Sequence, residues 1–384
     1  MPALNDPEAT FNNPFPVKLT VLLDGKEIPT ALSAEITSNN WYAADHFSVE
    51  FALFNKDFGP EFWGKQDSLL LDVQITVSDK AAQSLILGQV DHLDLDWHNG
   101  TVRLDGRDLT ARFIDARMYE GFVNQTSSQI AKALAAKHEM EADVDETTTL
   151  VGRYYEGEHD QMSNGEFNKS ITEWDLLTFL AQSEGDEHGA YNVWVSGKTL
   201  HFKKAVPIDD AKPWIVRAAP PDYQQDVTRI ISVNAVDLKL QRALTLAKDI
   251  VVIVRSWGSE NKHSITVSSP AGKTGGASSS TGKNAAQRYV FRRPNLTKDQ
   301  AQKLADNLRA DLSKHERVIE WTDAGSVPGA LQLTPRDAVS LEGTKSSWDQ
   351  RYYIDNISRH ISVSGGLTMS VKMKNHTTES QTLA

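Results

Sequence analysis

The stretch Leu93-Asp-Leu-Asp-Trp-His-Asn-Gly-Thr-Val-Arg-Leu104 has the form of a β-hairpin. Asn99-Gly100 is the dipeptide favoured in a two-residue type I′ loop, whose left-handed residues match the twist of the flanking strands. A loop there sets His98 opposite Thr101, Trp97 opposite Val102, Asp96 opposite Arg103 and Leu95 opposite Leu104. Apolar side chains then meet on one face, and Asp96 meets Arg103 on the other. A second hairpin is expected near the C-terminus. Ile357, Arg359, Ile361 and Val363 alternate with Ser358, His360, Ser362 and Ser364, and Leu367, Met369, Val371 and Met373 alternate with Thr368, Ser370, Lys372 and Lys374. A three-residue loop, Ser364-Gly365-Gly366, would pair Val363 with Leu367 and Ile361 with Met369. Strands with one apolar face suit the wall of a barrel or sandwich.

Outward from these hairpins, short strands rich in Val, Leu and Phe are predicted over 17–23, 48–54 and 69–77. The middle changes character. Ile130, Ala131, Leu134 and Ala135 predict a helix over 127–138, followed by an acidic connector through Glu139, Glu141, Asp143, Asp145 and Glu146. A second helix begins near Ser170, where Ser170-Ile-Thr-Glu173 has the form of a capping box, and buries Trp174, Leu177, Leu180 and Ala181. Strands follow over 191–195 and 199–202, and Pro213, Pro220 and Pro221 mark the exit. Strands return at 230–236 and 250–257. Residues 268–284 are Gly, Ser, Lys and Thr with almost nothing apolar, a flexible loop or linker. A helix over 297–315 then faces Leu304, Ala305, Leu308 and Leu312 inward, with Thr297-Lys-Asp-Gln300 as its cap. The expected fold class is α+β, mostly β: a first β-barrel-like domain over 1–112, an inserted α/β lobe over 113–220, and a second β-barrel-like domain over 221–384 that carries the loop 268–285 and the helix 297–316.

The 384 residues suffice for two or three domains, and 40% hydrophobic with 24% charged residues is ordinary for a folded soluble chain. No apolar run is long enough to span a bilayer as a helix, and the polar segment 1–16 lacks the basic flank of a secretory signal. It has the character of an arm that orders on a neighbour. The absence of cysteine excludes disulfides, thiolate metal sites and thiol nucleophiles. A net charge of −11 argues against a general nucleic-acid binder.

Three polar groupings invite chemistry. On a regular strand His92, Asp94, Asp96 and His98 share a face, and an i, i+2 pair can chelate a metal. The register gives Asp96 an arginine partner and supplies no third ligand, so a polar strand face is the preferred reading. Glu156, Glu158, Asp160 and Glu166, with His159, could supply the paired carboxylates of a glycosidase. Their spacing singles out no acid and nucleophile, which favours a solvated acidic loop. The glycine-rich run ending at Gly282-Lys283-Asn284 fails as a phosphate-binding loop, because Ala277 stands where its first glycine must be and Asn284 where Ser or Thr must be. No Gly-x-Ser-x-Gly elbow is present, and Trp174 and Trp257 are expected to be core or interface aromatics. No catalytic, cofactor-binding or metal residue is assigned, and no cofactor or enzymatic activity is expected.

A set of segments in a fixed order resembles the tail hub proteins of contractile phages, the late-control D family and its Mu-like relatives. These are Gly106-Arg-Asp-Leu-Thr110, Asn124-Gln-Thr-Ser-Ser-Gln-Ile130, Glu173-Trp-Asp-Leu-Leu177, Gly197-Lys-Thr-Leu-His-Phe202, Val254-Arg-Ser-Trp257, Leu341-Glu-Gly-Thr344 and Tyr352-Tyr-Ile-Asp-Asn-Ile357. The resemblance implies a homotrimer in which each chain gives two similar barrels to a ring of quasi-sixfold symmetry. Such a ring is a symmetry adaptor in the virion, joining a sixfold tail tube above to a threefold spike below. Wedge or sheath proteins would meet the α/β lobe outside, with the 268–284 loop ordering against tube or sheath. DNA would pass through the channel without specific binding, and no stable membrane insertion is implied. Because the chain closes on a short polar tail at Ala384, a separate spike protein is expected. Two alternatives stand beside the hub: the hub part of a type VI or phage-like secretion particle, and a tail-associated peptidoglycan hydrolase.

Overall fold

A computed structural model describes residues 17–77, 81–118, 122, 125–148, 150–151, 172–184, 191–208, 210–218, 237–242, 250–256, 264–270, 288–292, 296–312, 317–323 and 330–375. The fold is mostly β, as expected. In the first part, β1 (Val17–Leu23), β2 (Lys26–Glu27), β3 (Ala31–Asn39) and β4 (His46–Ala52) precede the single-turn helix α1 (Pro60–Trp63). The strands β5 (Leu70–Val77), β6 (Gln83–Asp96) and β7 (Thr101–Asp108) then lead into the helix α2 (Thr110–Asp115).

Next come β8 (Gln125–Thr126), α3 (Ser127–Lys137), β9 (Glu141–Val144), β10 (Leu150–Val151), α4 (Glu173–Ser183), β11 (Tyr191–Ser196), β12 (Thr199–Lys204) and β13 (Trp214–Arg217). The remainder contains β14 (Asp237–Arg242), β15 (Val251–Ser256), β16 (Ile265–Ser269), β17 (Arg288–Arg292), α5 (Lys298–Leu312), β18 (Arg317–Asp323), β19 (Ala338–Glu342), β20 (Arg351–Ser362) and β21 (Gly366–Lys374). The strand expected at 230–236, most of the 268–284 loop, the acidic group around Glu156–Glu166 and the segment 1–16 lie outside the described residues.

One 13-stranded sheet dominates, running β14-β18-β21-β20-β3-β4-β7-β6-β5-β1-β2, with β19 and β13 branching from β20. Its centre is the antiparallel pairing of β20 with β3, from Asn356 opposite Asn39 to Ser362 opposite Ser33. That pairing makes one surface of strands drawn from both ends of the chain. Alternation sorts the faces as two-residue periodicity requires. Phe47, Val49 and Phe51 of β4, and Val102 and Leu104 of β7, are buried in a core with Leu71, Val73 and Ile75. On the other side of the β20–β3 junction, Trp321, Tyr352, Ile354, Val371 and Met373 pack a second core.

The α/β segment packs α3 and α4 on the three-stranded sheet β11-β12-β9. Ile130, Ala131, Leu134, Ala135, Trp174, Leu177, Leu180 and Ala181 are all buried, as their spacing predicts. A further sheet, β16-β15-β17, packs against α5 through Val252, Val254, Ala301, Ala305 and Leu308. The Thr297–Gln300 cap of α5 forms reciprocally: Gln300 N donates to Thr297 Oγ1 at 3.3 Å and Thr297 N to Gln300 Oε1 at 2.9 Å.

Four expectations need correction. In the first hairpin Leu95 lies opposite Val102, Asp96 opposite Thr101 and Asp94 opposite Arg103, two positions from the expected register. The cause is the turn. Asp96 Oδ1 accepts from the backbone N–H of His98 and Asn99, both at 2.9 Å, and Gly100 N closes back on Asp96 O at 2.8 Å. A four-residue turn, 97–100, satisfies more donors than a two-residue loop and asks only Gly100 for positive φ, +68°. The second hairpin shifts in the same sense: Ile361 faces Leu367 and Ser362 faces Gly366, leaving Val363 75% exposed at the tip. There Val363 N donates to Leu32 O at 3.0 Å, so its backbone extends the β20–β3 ladder.

The helix α4 starts later than expected. Its box is Thr172 with Asp175, each side chain accepting from the other's backbone N–H, and Glu173 is buried instead of capping. Part of the acidic connector, Glu141–Val144, is the strand β9, which pairs in parallel with β12, and charges in and just after it are paired. Lys203 reaches Asp143 at 2.6 Å and Asp145 at 3.0 Å, and Lys132 reaches Glu146 at 2.5 Å.

Candidate functional site

The solvent face of the long sheet is polar from one β-rich part to the other. Following one row across the strands, Thr368 of β21 is opposite His360 of β20, His360 opposite Glu35 of β3, and Glu35 opposite Ser48 of β4. Ser48 is in turn opposite Asp105 of β7, and Asp105 opposite His92 of β6. The neighbouring rows repeat the character: Ser370-Ser358-Thr37-His46-Arg107, and Ser362-Ser33-Glu50-Arg103-Asp94. A shallow hollow of about 370 Å³ lies on this face between Glu35, His46, Asp91, His92, Asp105 and Arg107. The arginines here are already committed. Arg103 Nε lies 3.0 Å from Asp105 Oδ1, a hydrogen bond that raises the basicity of the guanidinium. Arg107 clasps Asp91 at 2.6 and 2.8 Å and Asp115 at 3.0 and 3.2 Å, and the bond to Asp91 raises its basicity most. Glu35, Glu50 and Asp94 remain as acidic groups on the surface.

The segment Gly106-Arg-Asp-Leu-Thr110 underlies this face, and each of its residues has a physical task. At Gly106 a Cβ would come within 2.2 Å of Gln89 O and 2.4 Å of Phe47 Cζ, so only glycine lets the Phe47 ring close over β7. Arg107 holds the outer face, Leu109 is buried, and Thr110 Oγ1 donates to Asp108 Oδ2 at 2.9 Å.

Asp108 opens a second, buried polar group that sequence reasoning missed. The register His46–Arg107 continues one step, with Asp108 N donating to Asp45 O at 3.0 Å, so two aspartates stand opposite each other on the inner face of the β4–β7 ladder. Burial, reinforced by the neighbouring Asp45, pushes the Asp108 carboxyl up to about 8. Burial raises Asp45 as well, against the opposing pull of Arg336. Asp45 Oδ1 accepts from Asn39 N at 2.7 Å, whereas Asp108 Oδ1 is buried with no hydrogen-bond partner among the described residues. Arg359, 4% exposed, donates from Nη2 to Leu333 O at 2.7 Å, and burial brings its guanidinium down to about 10. The signal for Arg359 was present in the sequence: a charge in the inward-facing series with Ile357 and Ile361. Asp45 and Asp108 carried none, because nothing in either strand alone shows that they meet.

Around this group the two β-rich parts touch the α/β segment. Asn40 Nδ2 donates to Pro335 O at 2.7 Å and Ile354 O at 2.8 Å. Tyr42 Oη donates to Tyr191 O at 2.9 Å, and Trp174 Nε1 donates to Tyr42 O at 2.8 Å. The Arg336 guanidinium lies 5.2 Å from the centre of the Trp194 ring. Trp41 and Tyr42 take φ of 59° and 67°, an unusual pair of left-handed bulky residues that these contacts hold in place.

Of the residues weighed for metal binding, His92 and Asp94 point to the outer face, Asp96 is consumed by the turn and His98 lies in it. Among the described residues no group of three or more His, Asp or Glu is placed to hold a metal ion, and no helix is long and apolar enough to cross a membrane.

No protein-family model matches the chain, and no curated protein matches it. Solved structures do. A tail protein from Neisseria meningitidis MC58 aligns at a TM-score of 0.60 and 15% identity, over 94% of this chain and 97% of that one. The 43 kDa tail protein of prophage MuSo2 from Shewanella oneidensis gives 0.61 and 15%, over 93% and 98%. Prophage tail protein gp18 from Listeria monocytogenes EGD-e gives 0.52 and 10%, over 94% and 95%. The chain therefore has, over nearly its whole length, the fold of phage tail proteins.

Proposed function

We propose that the protein is a structural, non-enzymatic component of a contractile phage tail and forms its central baseplate hub. In this reading three copies close a ring of quasi-sixfold symmetry around the channel, with the tail tube above, a spike below and wedge or sheath proteins outside. Residues 1–112 and 221–384 supply the two tube-type units, and 113–220 is the lobe presented outward. The particle is assembled in the bacterial host cytoplasm and the protein resides in the virion. The observation that carries the reading is the likeness in fold to a tail protein and to a prophage tail protein, over more than nine-tenths of each chain. The unbroken polar face, with its arginines neutralised and carboxylates left over, suits a channel wall that DNA passes without adhering.

The test is the mass in solution by light scattering, followed by negative-stain imaging of the main peak. A species of about 128 kDa, three times the 42.6 kDa chain, with a ring and central hole is expected. A compact monomer that also fails to ring up with its tube protein would overturn the trimeric hub. A second reading, the hub part of a secretion spike, is favoured by the Francisella PdpA-VgrG complex structure. Its TM-score is 0.50, with 94% of this chain but only 59% of that chain covered. Labelled antibody decorating the tips of phage tails in an induced lysate would favour the phage hub over it. Peptidoglycan zymography is expected to show no clearing.

A further inference from the structure

We infer that Asp45 and Asp108 form a one-proton catch that locks the turn between β3 and β4 to the rest of the molecule and releases it as the proton is lost. The inference does not depend on the proposed function. Like charges directly opposite in an antiparallel ladder repel, and here Asp108 is buried and Asp45 is partly buried beside it, so water screens the pair poorly. Placing a single proton on the pair removes the repulsion, as in other close carboxylate pairs. The groups that face the pair are Arg336 from the turn before β19, Arg359 from β20, and His46 beside Asp45; Asp337 faces Arg336 in turn. Their positive charge does not fully offset burial, and Asp108 Oδ1 gains no donor from any of them.

What the catch holds follows from its position. Asp45 anchors Asn39 N, and between these two residues lie Asn40, which binds Pro335 and Ile354, Trp41, whose ring packs on Tyr353, and Tyr42, which binds Tyr191 and Trp174. Arg336 sits between the carboxylates and the Trp194 ring of the α/β segment. A turn with two consecutive left-handed aromatic residues has no intrinsic preference for its conformation, so it depends on these anchors. Ionising the second carboxylate strains the β4–β7 end at which the turn is anchored, and local opening of 39–45 becomes easier while the cores stay intact.

Hydrogen exchange followed by mass spectrometry, with rates corrected for intrinsic pH dependence, reads this directly. Between pH 6.5 and 9 the protection of segment 39–45 in the wild type is expected to fall about thirtyfold, while helix α3 (Ser127–Lys137) changes little. Asp108→Asn keeps the shape but cannot ionise, and its segment is expected to keep equal protection at both pH values. Should that variant not fold, Asp45→Asn offers the second test: removing the opposing charge that holds the Asp108 carboxyl up must end the loss of protection at a lower pH, and an unmoved or upward-moved profile would overturn the inference. Equal protection of 39–45 in the wild type across the range would overturn the inference. So would a fall of the same size in Asp108→Asn, or a uniform fall in all segments.

Discussion

Replacing Gly106 with alanine should be among the most damaging single-methyl changes available in this chain. The added carbon would sit 2.2 Å from Gln89 O, 2.4 Å from Phe47 Cζ and 2.9 Å from Phe47 Cε1. Overpacking a well-filled core costs about 1–3 kcal/mol when side chains can yield. Here one obstacle is the backbone carbonyl of the adjacent strand, so β6 and β7 must also separate locally, at about 0.5–1.5 kcal/mol for each ladder bond weakened. The expected loss is about 3 kcal/mol, read as a lowered midpoint in urea unfolding followed by tryptophan fluorescence. A double-mutant cycle divides the two obstacles. In a Phe47→Ala background the ring is gone but the Gln89 carbonyl remains, so Gly106→Ala should still cost about half of its original effect. Gly88→Ala should behave alike, because its added carbon would meet Arg107 O at 2.3 Å and Phe47 Cε1 at 2.7 Å. A Gly106→Ala protein within about 0.5 kcal/mol of wild type would refute the reasoning, as would a cost that vanishes entirely once Phe47 is truncated.

Further outcomes can be checked by the same unfolding measurement. Thr172→Ala, which removes the oxygen accepting from Asp175 N at 3.0 Å, should cost about 1 kcal/mol. Glu173→Ala should cost more, about 2–4 kcal/mol, because it strips Lys137 and His138 of a carboxylate that is only 1% exposed; Glu173→Gln should recover part of that loss. Folded Asp108 keeps its proton up to about pH 8, whereas an unfolded aspartate releases it near 3.8, so the native state binds the extra proton between those values. Stability therefore falls as pH rises from about 5 to 8, by at most about 4 kcal/mol, and the slope should flatten in Asp108→Asn.

Much of the fold was legible because period is a local property. The alternation in 357–374 assigns the inner and outer sides of β20 and β21 correctly even though the register is displaced by two, since a shift of two preserves the face. The helical stripes of α3, α4 and α5 were legible for the same reason. What escaped was decided by partners distant in the chain or by competition for donors. Asn99-Gly100 carries the signal for a tight loop, yet Asp96 offers the backbone a better-satisfied turn. The β20–β3 pairing left no trace in either strand, and with it went the polar face and the meeting of Asp45, Asp108 and Arg359. The acidic residues of β9 look like a solvated connector until Lys132, His201 and Lys203 are placed beside them.

The junction of β3 with β20 also sets a timetable for synthesis. Ser38 and Arg359, which meet across it, are separated by 321 residues. At about 5–20 residues per second a ribosome needs roughly 15–65 s to make that span, and throughout it one edge of β3 waits without its partner. The strand Ala31–Asn39 carries Glu35 and several serines and threonines, and no more than three successive positions are apolar. Such a composition discourages the waiting edge from recruiting a stray strand from another nascent chain. Nascent chains stalled before residue 351 still leave the inward side chains of β3, Ala34 and Ile36, uncovered, and should bind more chaperone than released ones, while the polar edge should keep them from pairing with one another.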